Sequence, residues 1–108
     1  MKPTLIQKRR YIVFKTITKI EKRDMLKKIN ESLSKFLGQY GSAKAGCSLV
    51  YFDGEWGILR AGVKEVDRVK SSLLFIEEIN GKKMNIFLPY VGGTIKSAQK
   101  FIIEKGGR

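Results

Sequence analysis

The sequence lacks histidine entirely and contains a single cysteine among its 108 residues. Without histidine, the chain has neither the commonest general base nor the commonest metal ligand. One cysteine excludes an intrachain disulfide, which fits a reducing cytosol. No apolar run approaches the roughly 18 residues of a membrane-spanning helix, and the N-terminus lacks the apolar core of a signal peptide. These absences predict a cytoplasmic protein without a membrane-spanning segment.

Acidic residues are also scarce. Ten Asp and Glu stand against 22 Lys and Arg, which gives a net charge of +12 and a pI near 10.0. The excess is larger in residues 1–54, which hold 12 basic and 4 acidic residues. Such a charge on a small domain implies a polyanionic partner, because it otherwise only adds self-repulsion. Nucleic acid is the leading candidate, and an acidic protein or an anionic membrane surface are the alternatives.

Hydrophobic periodicity divides the chain into four strands and three helices. Alternating or β-branched stretches predict strands, and an apolar residue every three or four positions predicts helices. An Asp53–Glu55 turn joins the second and third strands. The predicted strands are Tyr11–Thr18, Cys47–Asp53, Trp56–Lys64 and Met84–Val91; the predicted helices are Glu21 to about Tyr40, Glu65–Ile79 and Thr94 to about Lys105.

The order β-α-β-β-α-β predicts an α+β fold of the ferredoxin-like, split β-α-β type. Its antiparallel sheet carries two helices on one face, and a third helix is added at the C-terminus. Strand one is apolar on both faces, which predicts that this third helix partly covers the other face. We expect a basic tail over residues 1–9, one domain over residues 10–105 and a frayed terminus over residues 106–108.

The segment Gly92-Gly93-Thr94 joins the last strand to the last helix. Thr94 is a predicted N-cap, and the glycines permit positive φ and close approach of another backbone. Free N–H groups at a helix start can hold a phosphate, and Lys96 and Lys100 follow in the same helix. The alternative is an ordinary strand-to-helix joint, with Lys96 contributing only solubility.

Several short segments, taken in order, resemble archaeal ribonuclease P protein component 2, a Pop-family subunit. The resemblance extends from about Arg10 to Phe101. It departs from the family pattern at Gly92, where serine is expected, and over Phe87–Tyr90, which is less basic than expected. The matching segments are Arg10–Ile12, Gly46–Asp53, Gly57–Arg60, Ser71–Ile76, Ile79–Lys83 and Val91–Ala98.

The resemblance implies a protein subunit of ribonuclease P, in which the RNA performs the cleavage with magnesium. The protein would bind no cofactor itself, and it would stabilise the catalytic RNA during removal of the 5′ leader from precursor tRNA. Ribonuclease P RNA, precursor tRNA and ribonuclease P protein component 3 would be its partners. The two proteins are expected to form a heterotetramer with a pair of component 2 chains in the middle.

No catalytic constellation is found in the sequence, so we expect contacts to RNA phosphates rather than chemistry. The third strand lacks the aromatic pattern that RNA-recognition domains use for base stacking. Two alternatives remain: a ferredoxin-like RNA-binding or ribosome-associated protein without a role in tRNA processing, and a small basic enzyme. The candidate RNA-binding residues are Lys8, Arg9, Arg10, Lys15, Lys22, Arg23, Lys27, Arg60, Lys82, Lys83, Gly92, Gly93, Thr94, Lys96 and Lys100.

Overall fold

The computed structural model describes residues 8–45 and 47–106. The strands are β1 (Arg9–Thr16), β2 (Ser48–Phe52), β3 (Trp56–Gly62), β4 (Glu78–Ile79), β5 (Lys82–Lys83) and β6 (Ile86–Gly92); the helices are α1 (Lys22–Ala45), α2 (Val66–Leu74) and α3 (Ile95–Gly106). Four strands form one antiparallel sheet in the order β2-β3-β1-β6. The ferredoxin-like prediction is confirmed. Positions 1–7 and 107–108 of the predicted tail and frayed terminus lie outside the described residues.

The main core lies between one face of the sheet and the helices α1 and α2. Ile12 and Phe14 point to this face from β1, because alternate residues of a strand share a face. Met25 and Ile29 face them from α1 at helical spacing, as the periodicity predicts. All of these side chains are buried, together with Leu33, Leu59, Val69 and Leu73.

The second face of the sheet is covered by α3. Val13 and Ile58, which are partners across β1 and β3, are completely buried on this side beneath Ala98. Tyr90 stacks on Phe101 of α3 with ring centroids 4.8 Å apart. The prediction that the C-terminal helix covers the second face is therefore confirmed. It accounts for a first strand that is apolar on both sides.

The second helix is shorter than predicted. It ends at Leu74 rather than Ile79, and the residues that follow form a small hairpin of β4 and β5. Asn80 and Gly81 both have positive φ, at 55° and 81°. An Asn-Gly pair with two positive φ angles makes a tight turn whose twist matches an antiparallel strand pair. Gly81 is therefore a hairpin residue and not the C-cap of a helix.

Burial explains why the chain leaves the helix at this point. Ile76, Ile79 and Met84 are all buried in the main core, and Met84 N–H donates to the Glu77 carbonyl at 2.8 Å. The hairpin thereby buries apolar side chains from both of its arms. Within the described ranges, no helix combines the length and the apolar character needed to cross a membrane.

Candidate functional site

One group of predicted residues meets at the edge of the sheet where β1 begins and β3 and β6 end. Tyr11 is paired with Arg60 on one side and with Gly92 on the other, and Arg9 lies two residues further along the same face. This is the face covered by α3, since Val13 and Ile58 lie two positions away and are buried beneath that helix. We call Arg9, Arg60, Gly92, Gly93, Thr94 and Lys96 the sheet-end surface.

The start of α3 is fixed by side-chain hydrogen bonds. The Ser97 backbone N–H donates to Thr94 Oγ1 at 3.1 Å, and Ser97 Oγ donates to the Thr94 carbonyl at 2.9 Å. The predicted N-cap is therefore confirmed. The other first-turn N–H groups have no acceptor within the helix and point outward from its positive end. Lys96 and Lys100 are exposed one helical turn apart.

Gly92 matters for close packing in this chain and not for backbone conformation. Neither Gly92 nor Gly93 has positive φ, which corrects that part of the expectation. A Cβ added to Gly92 would lie 2.5 Å from Ser97 Oγ and 2.8 Å from Tyr90 Cε2. A Cβ added to Gly93 would meet nothing within 4 Å. Gly92 thus lets the strand end pass close beneath the first turn of α3.

Arg60 lies at the β3 side of this surface, with Tyr11 between it and Gly92. It lies between Tyr11 and Ser48 in the strand register. Its Nε atom and the Ser48 hydroxyl oxygen are buried without a hydrogen-bond partner among the described residues. A buried donor without a partner costs free energy, so an acceptor reaching it would be bound favourably. The Arg60 side chain as a whole is half-buried.

A second basic group lies on the opposite side of the sheet and at the other end of β1. The hairpin packs beside the N-terminal half of α1, where Asn80 Nδ2 donates to Asp24 Oδ2 at 3.0 Å. All five basic residues of this region have exposed side chains. Arg23 only approaches Glu21 at 3.9 Å, with both side chains largely in solvent. We call Lys22, Arg23, Lys27, Lys82 and Lys83 the α1–hairpin surface.

The remaining predicted residues belong to neither surface, or only border one. Lys15 is engaged within the protein, since its Nζ lies 3.0 Å from Glu55 Oε2 and 5.7 Å from the Trp56 ring centroid. Lys8 and Arg10 border the sheet-end surface at the start of β1. Arg10 nevertheless alternates toward the α1 and α2 face.

Asp53 serves the turn between β2 and β3, as the sequence predicts. Its carboxylate accepts the backbone N–H groups of Glu55 at 3.0 Å and Trp56 at 2.7 Å, and the Tyr51 hydroxyl at 2.9 Å. Partial burial alone would raise the pKa of Asp53, but these hydrogen bonds outweigh it and lower the pKa. The hydrogen bond from the Tyr51 hydroxyl to Asp53 is also the main cause of the raised pKa of Tyr51.

Cys47 packs against the main core and is predominantly protonated at neutral pH. Burial, assisted by the negative charge of Glu65, raises its pKa to about 11. Since the thiolate is the nucleophilic form, this residue is a small apolar side chain and not a reactive group.

The sequence reasoning missed an exposed apolar group at the end of α2. Leu74 is 56% exposed and Phe75 is 69% exposed. The buried face of this helix contains Val69 and Leu73, and Leu74 and Phe75 stand beside it. Two large apolar residues next to, but not on, a helical stripe were the signal available in the sequence.

The topology and the covering helix define a ferredoxin-like α+β domain with an additional C-terminal helix. The sequence matches the Rpp14/Pop5 family over residues 10–103. The chain belongs to this family.

Individual relatives agree with the match. Ribonuclease P protein component 2 of Methanocaldococcus jannaschii is 39% identical over 103 residues, covering 93% of this chain and 77% of the relative. The Thermococcus gammatolerans protein of the same name is also 39% identical, over 98% of this chain and 92% of the relative. The predicted resemblance is therefore confirmed.

A solved structure supports the fold. A chain in the cryo-EM structure of yeast ribonuclease MRP superposes with a TM-score of 0.69 at 11% identity. The superposition covers 96% of this chain and 95% of that chain. At this identity the likeness concerns the fold alone.

Proposed function

We propose that this chain is a protein subunit of ribonuclease P. It binds and stabilises the catalytic RNA and supports magnesium-dependent removal of the 5′ leader from precursor tRNA. The observation that carries the proposal is the family match, which spans residues 10–103 and so includes nearly the whole described fold. The net charge of +12 supports a polyanionic partner independently of the match.

The protein contacts RNA mainly through phosphates. RNA-recognition domains stack bases on the face of a sheet, but here Val13 and Ile58 of that face are buried beneath α3. The sheet-end surface instead offers backbone N–H groups and the half-buried guanidinium of Arg60, both of which suit phosphate oxygens. All fifteen candidate residues remain proposals, and Lys15 contributes least because Glu55 already engages it.

The polypeptide contributes electrostatics and not chemistry. Arginine and lysine side chains lower the repulsion between neighbouring phosphates, which lets the RNA pack into its catalytic fold. We expect the catalytic magnesium on the RNA and no cofactor on the protein, as the resemblance to ribonuclease P subunits implies. We expect precursor tRNA and ribonuclease P protein component 3 as further partners, the latter in a heterotetramer, and a cytoplasmic location.

Reconstitution tests this proposal. Ribonuclease P RNA and the partner proteins are combined with and without this chain, and 5′ cleavage of precursor tRNA is measured with magnesium. We expect a higher cleavage rate with the chain present and no cleavage by the chain alone. If the chain binds the RNA tightly but leaves the cleavage rate unchanged, it is a general RNA-binding protein and the proposal is wrong.

A further inference from the structure

Phe87 lies on β6, a strand at one edge of the sheet, and its side chain is 50% exposed. It is paired with Lys15, so its side chain stands on the α3 face of the sheet. Phe87 belongs to neither apolar cluster, and its ring pairs with no other aromatic ring in the described part of the chain. Single exposed apolar residues are common on protein surfaces, so the neighbours of Phe87 decide whether it is a site.

α3 leaves this corner of the second face open. Phe101 of the helix packs between Tyr90 and Trp56, with ring centroids 4.8 Å and 6.4 Å away. Trp56, Lys15 and Phe87 are in register on three adjacent strands, but Trp56 is only 8% exposed. RNA-recognition domains place stacking aromatic residues on an uncovered sheet face. Phe87 therefore stands where the covering helix still permits such stacking.

The edge of β6 is a poor template for a further protein strand. Pro89 has no backbone N–H to donate, and proline is typical of protected sheet edges. The pairing of β1 with β6 also shifts by one residue between the Val13–Tyr90 and Lys15–Phe87 pairs. A ligand at this corner must therefore be recognised by side chains and not by backbone pairing.

A groove of about 660 Å³ connects Phe87 with the α1–hairpin surface. Lys83 and Asn85 line this groove together with Phe87, and both are exposed. Lys83 also belongs to the α1–hairpin surface, where Lys82 precedes it. The aromatic ring is therefore continuous with a group of basic residues that we assign to RNA.

The charges next to the ring balance one another, whereas those at the hairpin do not. Glu77 lines the groove with Lys83, and Glu55 pairs with Lys15 at 3.0 Å. Lys82 and Lys83 form no ion pair in the described part of the chain. A nucleotide is divided in the same way, because its base is uncharged at neutral pH and its phosphate is an anion.

Other occupants match this arrangement less well. A ligand that offers only phosphates leaves the ring unused, and an apolar protein segment leaves the two lysines unused. A second copy of this chain also carries a charge of +12, so the two molecules repel one another.

We propose that Phe87 stacks an unpaired base of RNA while Lys82 and Lys83 bind the adjoining phosphates. Asn85 is placed to bond the edge of the base, since its amide group both donates and accepts hydrogen bonds. Stacking on an aromatic ring tolerates every base, so we expect a preference for single-stranded RNA and little preference for sequence. The inference rests on the proposed function and adds one base contact to surfaces that otherwise contact phosphates.

Filter binding to ribonuclease P RNA over a range of salt concentrations is the first test. Phe87→Ala and Phe87→Leu should each weaken binding about tenfold, as the loss of one stacked base does. The slope of log K against log salt should not change, because stacking releases no counterions. Replacing Lys82 and Lys83 by alanine should instead lower the slope by about 1.4–1.8.

Two variants serve as controls for this test. Phe87→Trp keeps a flat aromatic ring and should bind as tightly as the parent. Phe75→Ala removes an aromatic ring that is 69% exposed elsewhere, and it should stay within about twofold of the parent. Thermal unfolding of each variant establishes that the fold is retained.

Fluorescence of the Phe87→Trp variant gives the second readout. A single-stranded oligonucleotide should quench the new indole, because an unpaired base can stack on it. A duplex of the same sequence should quench it much less. The parent chain is the control, since its own Trp56 is nearly buried.

The inference is wrong if Phe87→Leu binds RNA as tightly as the parent, because leucine keeps the apolar surface and loses the ring. It is also wrong if duplex and single strand quench equally. If the Phe87 variants bind RNA normally but lower cleavage by the reconstituted complex, the ring contacts a protein subunit instead. In each case, stimulation of 5′ cleavage by the parent chain still decides the proposed function separately.

Discussion

The sheet-end surface and the α1–hairpin surface are both basic, but they differ in how far the fold fixes their groups. At the sheet end, Arg60 is partly buried, Gly92 is buried and Thr94 is hydrogen-bonded, while Arg9 and Lys96 are exposed. On α1 and the hairpin, every candidate side chain is exposed. Fixing an exposed lysine or arginine on binding costs up to about 2 kcal/mol of side-chain entropy.

The difference predicts a division of labour. The α1–hairpin surface supplies long-range, salt-sensitive attraction, because its charges are mobile and solvated. The sheet-end surface supplies contacts of more fixed geometry, which persist when salt screens the long-range attraction of the α1–hairpin surface. Variants on each surface test this division, beginning with the largest expected effect.

Gly92→Ala should disturb the sheet-end surface most. The new methyl group would lie within 3 Å of Ser97 Oγ and the Tyr90 ring, and overpacking of this kind costs about 1–3 kcal/mol. Thermal unfolding measures the loss, and RNA binding should fall with it. Gly93→Ala is the matched control, because its methyl group has no neighbour within 4 Å. Equal stability of the two variants would contradict the steric role of Gly92.

Replacing Lys22, Arg23 and Lys27 together by alanine should change RNA binding without changing stability. If all three contact phosphates, the slope of log K against log salt should fall by about 2–3. Lys19, Lys64 and Lys105, all exposed, provide a control that removes the same charge elsewhere. The α1–hairpin surface is merely solvated if both triple variants give the same slope.

Thr94→Ala and Lys96→Ala separate the structural and the binding contributions of one turn. Losing the Thr94 cap should cost about 0.5–2 kcal/mol of stability. Lys96→Ala should cost little stability, since a cation in a first turn is already disfavoured by the helix dipole. It should instead lower cleavage by the reconstituted complex at moderate salt. If Lys96→Ala cleaves like the parent, the turn is only a structural joint. Thr94→Ser, which keeps a hydroxyl group at the cap, is the control for Thr94→Ala.

Asp53→Asn should have the smallest effect and should change stability alone. Asp53 lies in the β2–β3 turn, and its exposed hydrogen bonds contribute about 0.5–1 kcal/mol after screening by solvent. The pKa of Asp53 is lowered in the folded state from its ordinary 3.8, so the ionised group stabilises the fold above that pH. This contribution disappears as the pH falls through the folded-state pKa.

Chemical denaturation at pH 7 and in acid measures the Asp53 difference. The gap in free energy of unfolding between parent and variant should be present at pH 7 and should close below pH 3.8. A gap of constant size would contradict the hydrogen bonds assigned to Asp53. We expect Asp53→Asn to bind RNA as the parent does. It then serves as a control for the effect of a modest loss of stability on the RNA-binding measurements.

Local sequence patterns predicted most of the fold. The stripe of Met25, Ile29 and Leu33 and the Thr94 cap each depend on residues within a few positions of one another. Both are found as predicted. The error came at Asn80-Gly81, where Ile76 and Ile79 fit a helical stripe and a hairpin equally well. Burial of Met84 from the returning strand decided in favour of the hairpin.

The candidate site was predictable as a set of residues but not as surfaces. Lys82 and Lys83 stand beside α1 because the hairpin buries Ile79 and Met84 in the main core, where Asn80 also donates to Asp24, 56 positions away in the sequence. Lys15 resembled any other basic strand residue until the fold brought Glu55 within 3.0 Å of it. Contacts between residues so far apart in the sequence cannot be deduced from periodicity, because periodicity assigns a side chain to a face but does not identify its neighbour.

The amino-acid sequence by itself determined the charge, the order of most elements, the cap of α3 and the family, because each depends on composition, local spacing or ordered short motifs. The tertiary structure alone decided that Arg60 shares a row with Tyr11 and Gly92, and that Leu74 and Phe75 face solvent. Strand register and the packing of α2 set these relations. Both arise from contacts between distant parts of the chain, so they exist only once the sheet has formed.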